Sequence, residues 1–230
     1  MKLLTRLLKS PRKISYSQCG EDLIVAFLLY GHLGLTKPTY LDIGAHHPVI
    51  LSNTFLFYQN GSSGVCVEAD PLLYAKIKRR RKRDTCLNVG VGASDAKSAN
   101  FYLMSTKALS TFSEVESQRY SQYQTHTIQQ VIEVPLVTIN NVIEQYFDPF
   151  PNFVSLDTEG LDLAIIKSLD FERYRPQVFC IETVTYTEDK SEEKIQDIIT
   201  YMKANNYMVY ADTYINTIFV EQDSWLARKA

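Results

Sequence analysis

Four short apolar runs in this 230-residue chain each finish on a carboxylate, and that recurrence constrains the fold more than any other feature. The runs cover residues 39–43, 64–68, 153–157 and 178–182, with Asp42, Glu68, Asp157 and Glu182 at or near their ends. Apolar runs of this length, bounded by turn signals, read as buried strands. Helical patterns separate them. The first covers 17–33, with Ser17 as cap, Glu21 and Asp22 at its positive end, and Leu23, Ile24, Phe27 and Leu28 as its apolar stripe. The next is capped by Ser52 or Asn53, and another opens at Pro71, where a proline suits the first turn. Further helices are expected over 138–146, from Leu161, and over 191–205, with a strand at 85–89. The runs 207–212 and 217–220 form a closing hairpin. Strand–helix alternation implies an α/β domain with a mostly parallel sheet, helices on both faces and an antiparallel final strand.

Residues 98–135 interrupt this order. Strands are expected at 101–104 and 131–137, around a polar stretch rich in Ser, Gln and Tyr. A long excursion within a compact domain is often functional, so this is a candidate lid or acceptor-binding insertion. Its aromatic residues Tyr102, Phe112, Tyr120 and Tyr123 either stack on a substrate or belong to the core.

Composition excludes several partners. A net charge of −2 gives no field to hold a nucleic acid backbone, so none is expected. The like-charge run 76–83 reads as a solvated face. Cys66, Cys86 and Cys180 lie in apolar runs and no C-x-x-C spacing occurs, so buried reduced thiols and a cytoplasmic location are expected. The basic, leucine-paired stretch 1–15 is too short in its apolar runs for a signal peptide and reads as a flap, with weak contact to an anionic lipid surface as the alternative. The domain proper is expected over 16–230, and no signal for oligomeric state is found.

Ligands of an open parallel sheet bind beyond the carboxyl ends of the strands. The first strand is followed by Gly44, Ala45, His46 and His47. A pyrophosphate needs several glycines there, and only Gly44 is present. Glu68 is placed as a ribose acceptor. A phosphate-free adenosine cofactor with a positive sulfonium fits such an acidic rim, and that is S-adenosylmethionine. A nicotinamide-dependent oxidoreductase lacks its glycine-rich loop here.

The ordered set Tyr16-Ser-Gln-Cys-Gly-Glu-Asp22, Leu41-Asp-Ile-Gly-Ala-His-His-Pro48, Ser52-Asn-Thr54, Val67-Glu68, Asp157-Thr-Glu-Gly160 and Ile181-Glu182 resembles the FkbM family of methyltransferases over residues 15 to 220. The resemblance implies a seven-stranded Rossmann-like class I methyltransferase fold and O-methylation of a sugar or glycan hydroxyl. The commoner family pattern D-V-E-G-A-E appears here as Asp157-Thr-Glu-Gly-Leu-Asp162, whose final Asp keeps the charge and shortens the reach.

Candidate cofactor-binding residues are Gln18, Glu21, Asp42, Gly44, Ala45, Glu68, Ala69, Ser94 and Asp157. Each has a plainer alternative: helix caps for Gln18, Glu21 and Asp22, and an ordinary turn for Ser94 and Asp95. Ser52 and Asn53 contact substrate or merely cap a helix, and Glu182 faces the substrate. Asp157, Glu159 and Glu182 together favour an active site. Only one of the adjacent His46 and His47 is expected to face it, while His32 and His126 read as structural. An alcohol needs help to lose its proton. Asp157 or one histidine is the candidate base; alternatively Asp157 and Glu182 hold Mg²⁺. A protein or lipid acceptor, or a non-catalytic binding subunit, is the rival reading.

Overall fold

The computed structural model describes residues 13–123, 125–184, 186–187 and 191–227, so most of the expected basic flap lies outside the described residues. Its elements run α1 (Glu21–Ala26), β1 (Tyr40–Ile43), α2 (Phe55–Gln59), β2 (Gly64–Val67), α3 (Pro71–Arg80), β3 (Thr85–Leu87), β4 (Gly90–Gly92) and β5 (Ser98–Met104). They continue α4 (Glu114–Gln122), β6 (Ile128–Thr138), α5 (Ile139–Tyr146), β7 (Phe153–Leu156), α6 (Asp162–Ser168), β8 (Val178–Glu182), α7 (Gln196–Ala204), β9 (Tyr207–Asp212), β10 (Asn216–Glu221) and α8 (Gln222–Leu226).

Seven strands form one sheet in the order β3-β2-β1-β7-β8-β10-β9. The first five are parallel, and β10 inserts antiparallel between β8 and β9. This is the Rossmann-like class I arrangement with its closing hairpin. Every residue of β1, β7 and β8 is buried, as a sheet covered on both faces requires. Alternate side chains feed two cores. Leu41, Ile43, Val154, Leu156, Phe179 and Ile181 pack with α5, α6 and α7 through Ile143, Ile166 and Ile198. Tyr40, Phe153, Val178 and Cys180 pack with Val25, Leu28 and Phe57 on the other face. Strand order reverses between β1 and β7, which opens a crevice beyond their carboxyl ends.

The expected strand 85–89 is shorter, Thr85–Leu87, and stays in the main sheet; a separate strand not expected from the sequence, Gly90–Gly92, pairs parallel with β6 in a second sheet of order β4-β6-β5. Asn88 turns the chain there, donating its side-chain amide to the carbonyls of Glu68 and Ala69 at 2.9 and 3.0 Å. β5 and β6 are antiparallel and enclose a short 3₁₀ turn (Lys107–Leu109) and α4, so the interruption at 98–135 is a folded subdomain beside the crevice.

Other boundaries differ from expectation. The first helix starts at Glu21 and widens into a π turn over Phe27–His32, and the helix expected from 191 starts at Gln196. Ser17 still serves that first helix, its hydroxyl accepting from the amides of Gly20 and Asp22. The basic run 76–83 is not uniformly solvated. Arg81 is fully buried, bonded to Asp84 at 2.7 Å and Thr54 at 2.9 Å and 3.7 Å from Asp42. Two carboxylates offset the desolvation of this guanidinium. All four cysteines are free, with Cys66 and Cys180 buried and Cys19 exposed.

Candidate active site

A cavity of about 370 Å³ occupies the crevice at the switch between β1 and β7. Gly44 makes its floor possible: φ is +80°, and an added Cβ would meet the carbonyl oxygen of Asp157. The amides of Gly44 and Ala45 both donate to Val67 O at 3.1 Å, so Ala45 is committed to the turn beneath the cavity. His46 follows with φ +48° and its amide donates to Glu68 Oε2 at 2.7 Å. The other Glu68 oxygen accepts from the Asp70 amide at 2.8 Å. Two backbone donors thus aim the carboxylate, while burial pushes its pKa up to about 7.

Beyond Glu68 the wall turns apolar. Ala69, Leu73 and Val91 meet Phe101 and Phe112 of the subdomain, whose rings lie 4.6 Å apart. Lys107, at the 3₁₀ turn, spans this end to reach Asp70 Oδ2 at 3.4 Å.

At the other end stand Asp157, Glu159 and Glu182, whose carboxylate oxygens lie within 4.8 Å of one another. Among the described residues this is the group able to hold a metal ion. Burial raises Asp157 to about 7, and the neighbouring Asp162 adds to it. Glu159 and Glu182 are raised well above the ordinary range, first by burial and then by their carboxylate neighbours. Three such groups cannot all ionise at this spacing, so a proton or a cation must neutralise part of the charge. Backbone geometry fixes the cluster. Glu159 sits at φ +53° and Gly160 at φ +108°, and Asp162 accepts from the amides of Thr158 and Gly160 at 3.0 and 3.4 Å. The shorter acidic side chain at 162 is therefore a brace for the turn. The subdomain supplies two further ties, from Thr111 Oγ1 to Glu159 O at 2.8 Å and from the Tyr120 hydroxyl to Glu159 Oε2 at 2.9 Å.

The cavity brings together Gln18, Gly44, His46, Asn53, Glu68, Ala69, Asp157, Glu159 and Glu182. Six expected residues fall outside its lining. Asp42 points into the sheet face, bonded to Thr54 and paired with Arg81, because it faces the layer beneath β1 instead of the strand end. Ser52 is buried beside Arg81 and accepts from the Phe55 amide at 3.2 Å, while the N-cap of α2 is Thr54 and neither Ser52 nor Asn53. Glu21 is fully buried, accepting from Thr213 at 2.7 Å and Asn216 at 3.2 Å. His47 Nδ1 accepts from the amides of Val49 and Ile50, which makes it a turn residue. Ser94 lies on an exposed bend after β4, and Ala45 faces the core. Of the two histidines only His46 faces the cavity, and burial with His47 nearby lowers its pKa, favouring neutral imidazole.

Some lining residues carried no signal in the sequence. His126, expected to be structural, lines the cavity, with Nδ1 3.0 Å from Thr106 Oγ1 and Nε2 3.4 Å from the Tyr186 hydroxyl. Tyr186 and Glu192 join it from the segment after β8. The fold of the subdomain brings His126, and the segment after β8 brings Tyr186 and Glu192.

A family model described as Methyltransferase FkbM domain matches residues 42–209. No curated protein matches the chain significantly. Among solved structures, the chain resembles a putative O-methyltransferase from Klebsiella pneumoniae at 10% identity and TM-score 0.45, covering 96% of this chain and 86% of that one. It also resembles an O-methyltransferase from Bacillus cereus at 13% identity and TM-score 0.43, over 95% and 90% of the two chains. A precorrin-6y C5,15-methyltransferase from Geobacter metallireducens gives 11% identity, TM-score 0.43, and 86% and 87% coverage.

Proposed function

The chain belongs to the FkbM methyltransferase family, and from that premise we propose that it methylates a hydroxyl of a sugar or glycan precursor, using S-adenosylmethionine. One observation carries the reading: a single cavity joins Glu68, set in an otherwise apolar slot, to the Asp157–Glu159–Glu182 cluster. The slot suits S-adenosylmethionine on its own chemistry, with an acidic acceptor for ribose hydroxyls, apolar walls for a flat base and no phosphate cradle. When bound, the cofactor supplies an electrophilic methyl group. Glu68 holds its ribose, Ala69, Leu73 and Phe101 enclose its base, and Gly44 lets the chain pass close beneath.

The remaining work falls to the second cluster. Asp157 takes the acceptor's hydroxyl proton, since a carboxylate raised to about 7 is both partly ionised and basic enough near neutral pH. Glu182 and Glu159 flank it and hold the neighbouring hydroxyls. His46, kept neutral by burial, is the second candidate base. Aligning the acceptor oxygen accounts for much of the rate in such a displacement. A cation reading is also favoured by the spacing of the three carboxylates, a set of hard oxygen donors suited to Mg²⁺. Activity that survives exhaustive EDTA treatment would remove it.

Calorimetry with S-adenosylmethionine and with NAD tests the cofactor: the first binds at sub-millimolar concentration and the second does not. Methyl release over sugars, glycans and nucleotide-sugars, with Asp157→Ala and His46→Ala as comparisons, tests acceptor and base. Absence of S-adenosylmethionine binding would overturn the proposal.

A further inference from the structure

The cavity continues past the carboxylate cluster to an aromatic ring that the proposed methyl transfer has not used. Tyr186 lines it and is 38% exposed. Both layers of the molecule hold this stretch of chain. On the sheet side, the Thr183 carbonyl accepts from the Ile195 amide at 2.8 Å, and its hydroxyl lies 2.8 Å from that of Thr217. Val184 bridges to Lys194. On the subdomain side, Arg119 of α4 donates to the Tyr186 carbonyl at 2.7 Å.

The ring itself is held by two neighbours that cross it steeply. His126 meets it at 73° with centroids 5.6 Å apart, and Tyr120 at 66° and 6.1 Å. Among the described residues no ring stacks face to face on Tyr186. Its hydroxyl meets His126 Nε2 only at 3.4 Å, at the loose end of the hydrogen-bond range. Tyr40, Phe57, Phe153 and Phe179 in the two cores are closed to solvent, whereas this ring keeps apolar surface open beside a cavity. Covering that surface is favourable, and a flat, partly apolar ligand covers it best.

The carboxylates are one side chain away. Tyr120, in contact with the Tyr186 ring, donates its hydroxyl to Glu159 Oε2 at 2.9 Å. Asp157 and Glu182 complete that cluster, and Glu192 lines the cavity with Tyr186. This end of the cavity therefore offers a group of hydrogen-bond acceptors next to an aromatic ring. A pyranose presents the complement of both: hydroxyl donors around its edge and apolar C–H groups on its faces. An alkyl chain would cover the ring and leave buried carboxylates without donors, which is costly.

We propose that Tyr186 is the stacking platform for the acceptor's pyranose ring, beside the carboxylates that receive its hydroxyls. The inference rests on the sugar acceptor proposed above and names the residue that holds its face. Cofactor binding is a separate matter, since Glu68, Ala69 and Leu73 lie at the other end of the cavity.

Saturation-transfer NMR on the full chain loaded with S-adenosylhomocysteine tests it, with the methyl α-pyranosides of glucose, mannose and galactose as probes. At least one should receive saturation, strongest on the protons of one ring face. Tyr186→Ala should weaken its affinity about tenfold, the contribution of one stacked ring. Tyr186→Phe keeps the aromatic face and should keep the signal. Melting temperature and calorimetric affinity for S-adenosylhomocysteine should hold in both variants, which separates a lost platform from a damaged fold. Unchanged pyranoside affinity in Tyr186→Ala would overturn the platform and leave the sugar acceptor standing. An equal loss in Tyr186→Phe would also overturn it, because the hydroxyl and not the ring face would then be the contact. No saturation of any pyranoside by the parent protein, with S-adenosylhomocysteine bound, would overturn the sugar acceptor and the platform together.

Discussion

The carbonyl oxygen of Asp157 stands 1.8 Å from the point where a Cβ on Gly44 would lie. The loops after β1 and β7 therefore meet backbone to backbone at the switch in strand order, with no side chain between them. This contact brings the turn after β1 and the carboxylate cluster into one cavity.

Gly44→Ala is expected to cost at least ~2 kcal/mol, from the left-handed φ and the overlap together. Denaturant unfolding measures it. An alanine variant of native stability that still binds S-adenosylmethionine would contradict the interlock.

Stability should fall as pH rises across the neutral range. Asp157, Glu159, Asp162 and Glu182 all have raised folded-state pKa values, so the folded chain holds protons that the unfolded chain has released. Their contribution is complete below the ordinary values of 3.8 and 4.5 and is lost through about 7 and above. Glu182→Gln removes one of the crowded charges. It should flatten the pH dependence of the melting temperature and raise that temperature at pH ~8, while lowering turnover. Parallel melting curves for variant and parent at both ends of the range would refute this.

Glu68→Gln should weaken S-adenosylmethionine binding about tenfold to a hundredfold by calorimetry, because ribose loses a charged acceptor. The parent protein should show a milder form of the same loss as pH drops below 7, where Glu68, raised to about 7, takes up a proton. Affinity that is level from pH 6 to 8 and unaltered in the variant would argue against this contact.

Tyr120 does not line the cavity and reaches it through Glu159. Tyr120→Phe removes the 2.9 Å bond to Glu159 Oε2, and kcat should fall about tenfold while cofactor affinity holds. A fall in cofactor affinity alone would place the tyrosine in a different role.

Arg81→Met leaves Asp42 and Asp84 buried without their cation, at an expected cost of ~3–5 kcal/mol. Arg81→Lys should rescue little, since the guanidinium reaches Asp84 and Thr54 from separate nitrogens. A change below ~1 kcal/mol on unfolding would show the pairing to be dispensable.

Strand positions were readable because each buried strand is a continuous apolar run, and Glu68, Asp157 and Glu182 were readable because they end such runs. Asp42 follows the same pattern yet faces Arg81, since a period of two sends its side chain to the other face of the sheet from Ile43. Arg81 itself sits in a run of cations, and nothing local separates the buried one from the solvated ones. The end of β3 at Leu87 and the separate strand at 90–92 turn on Asn88, which reaches carbonyls 20 and 19 residues earlier in the chain. His126 and Tyr186 come to the cavity only through the packing of the subdomain against the segment after β8, a non-local event without periodicity to announce it.

The clasp between Glu21 and the β9–β10 turn ties the antiparallel end of the sheet to the first helix. Strand β10 covers the free edge of β8, and its Asn216 and the adjacent Thr213 are the partners of Glu21, 195 and 192 residues away. Loosening that turn would therefore unseat the buried Glu21 and bare the edge of β8 together, and a bare strand edge is a template for pairing with another chain.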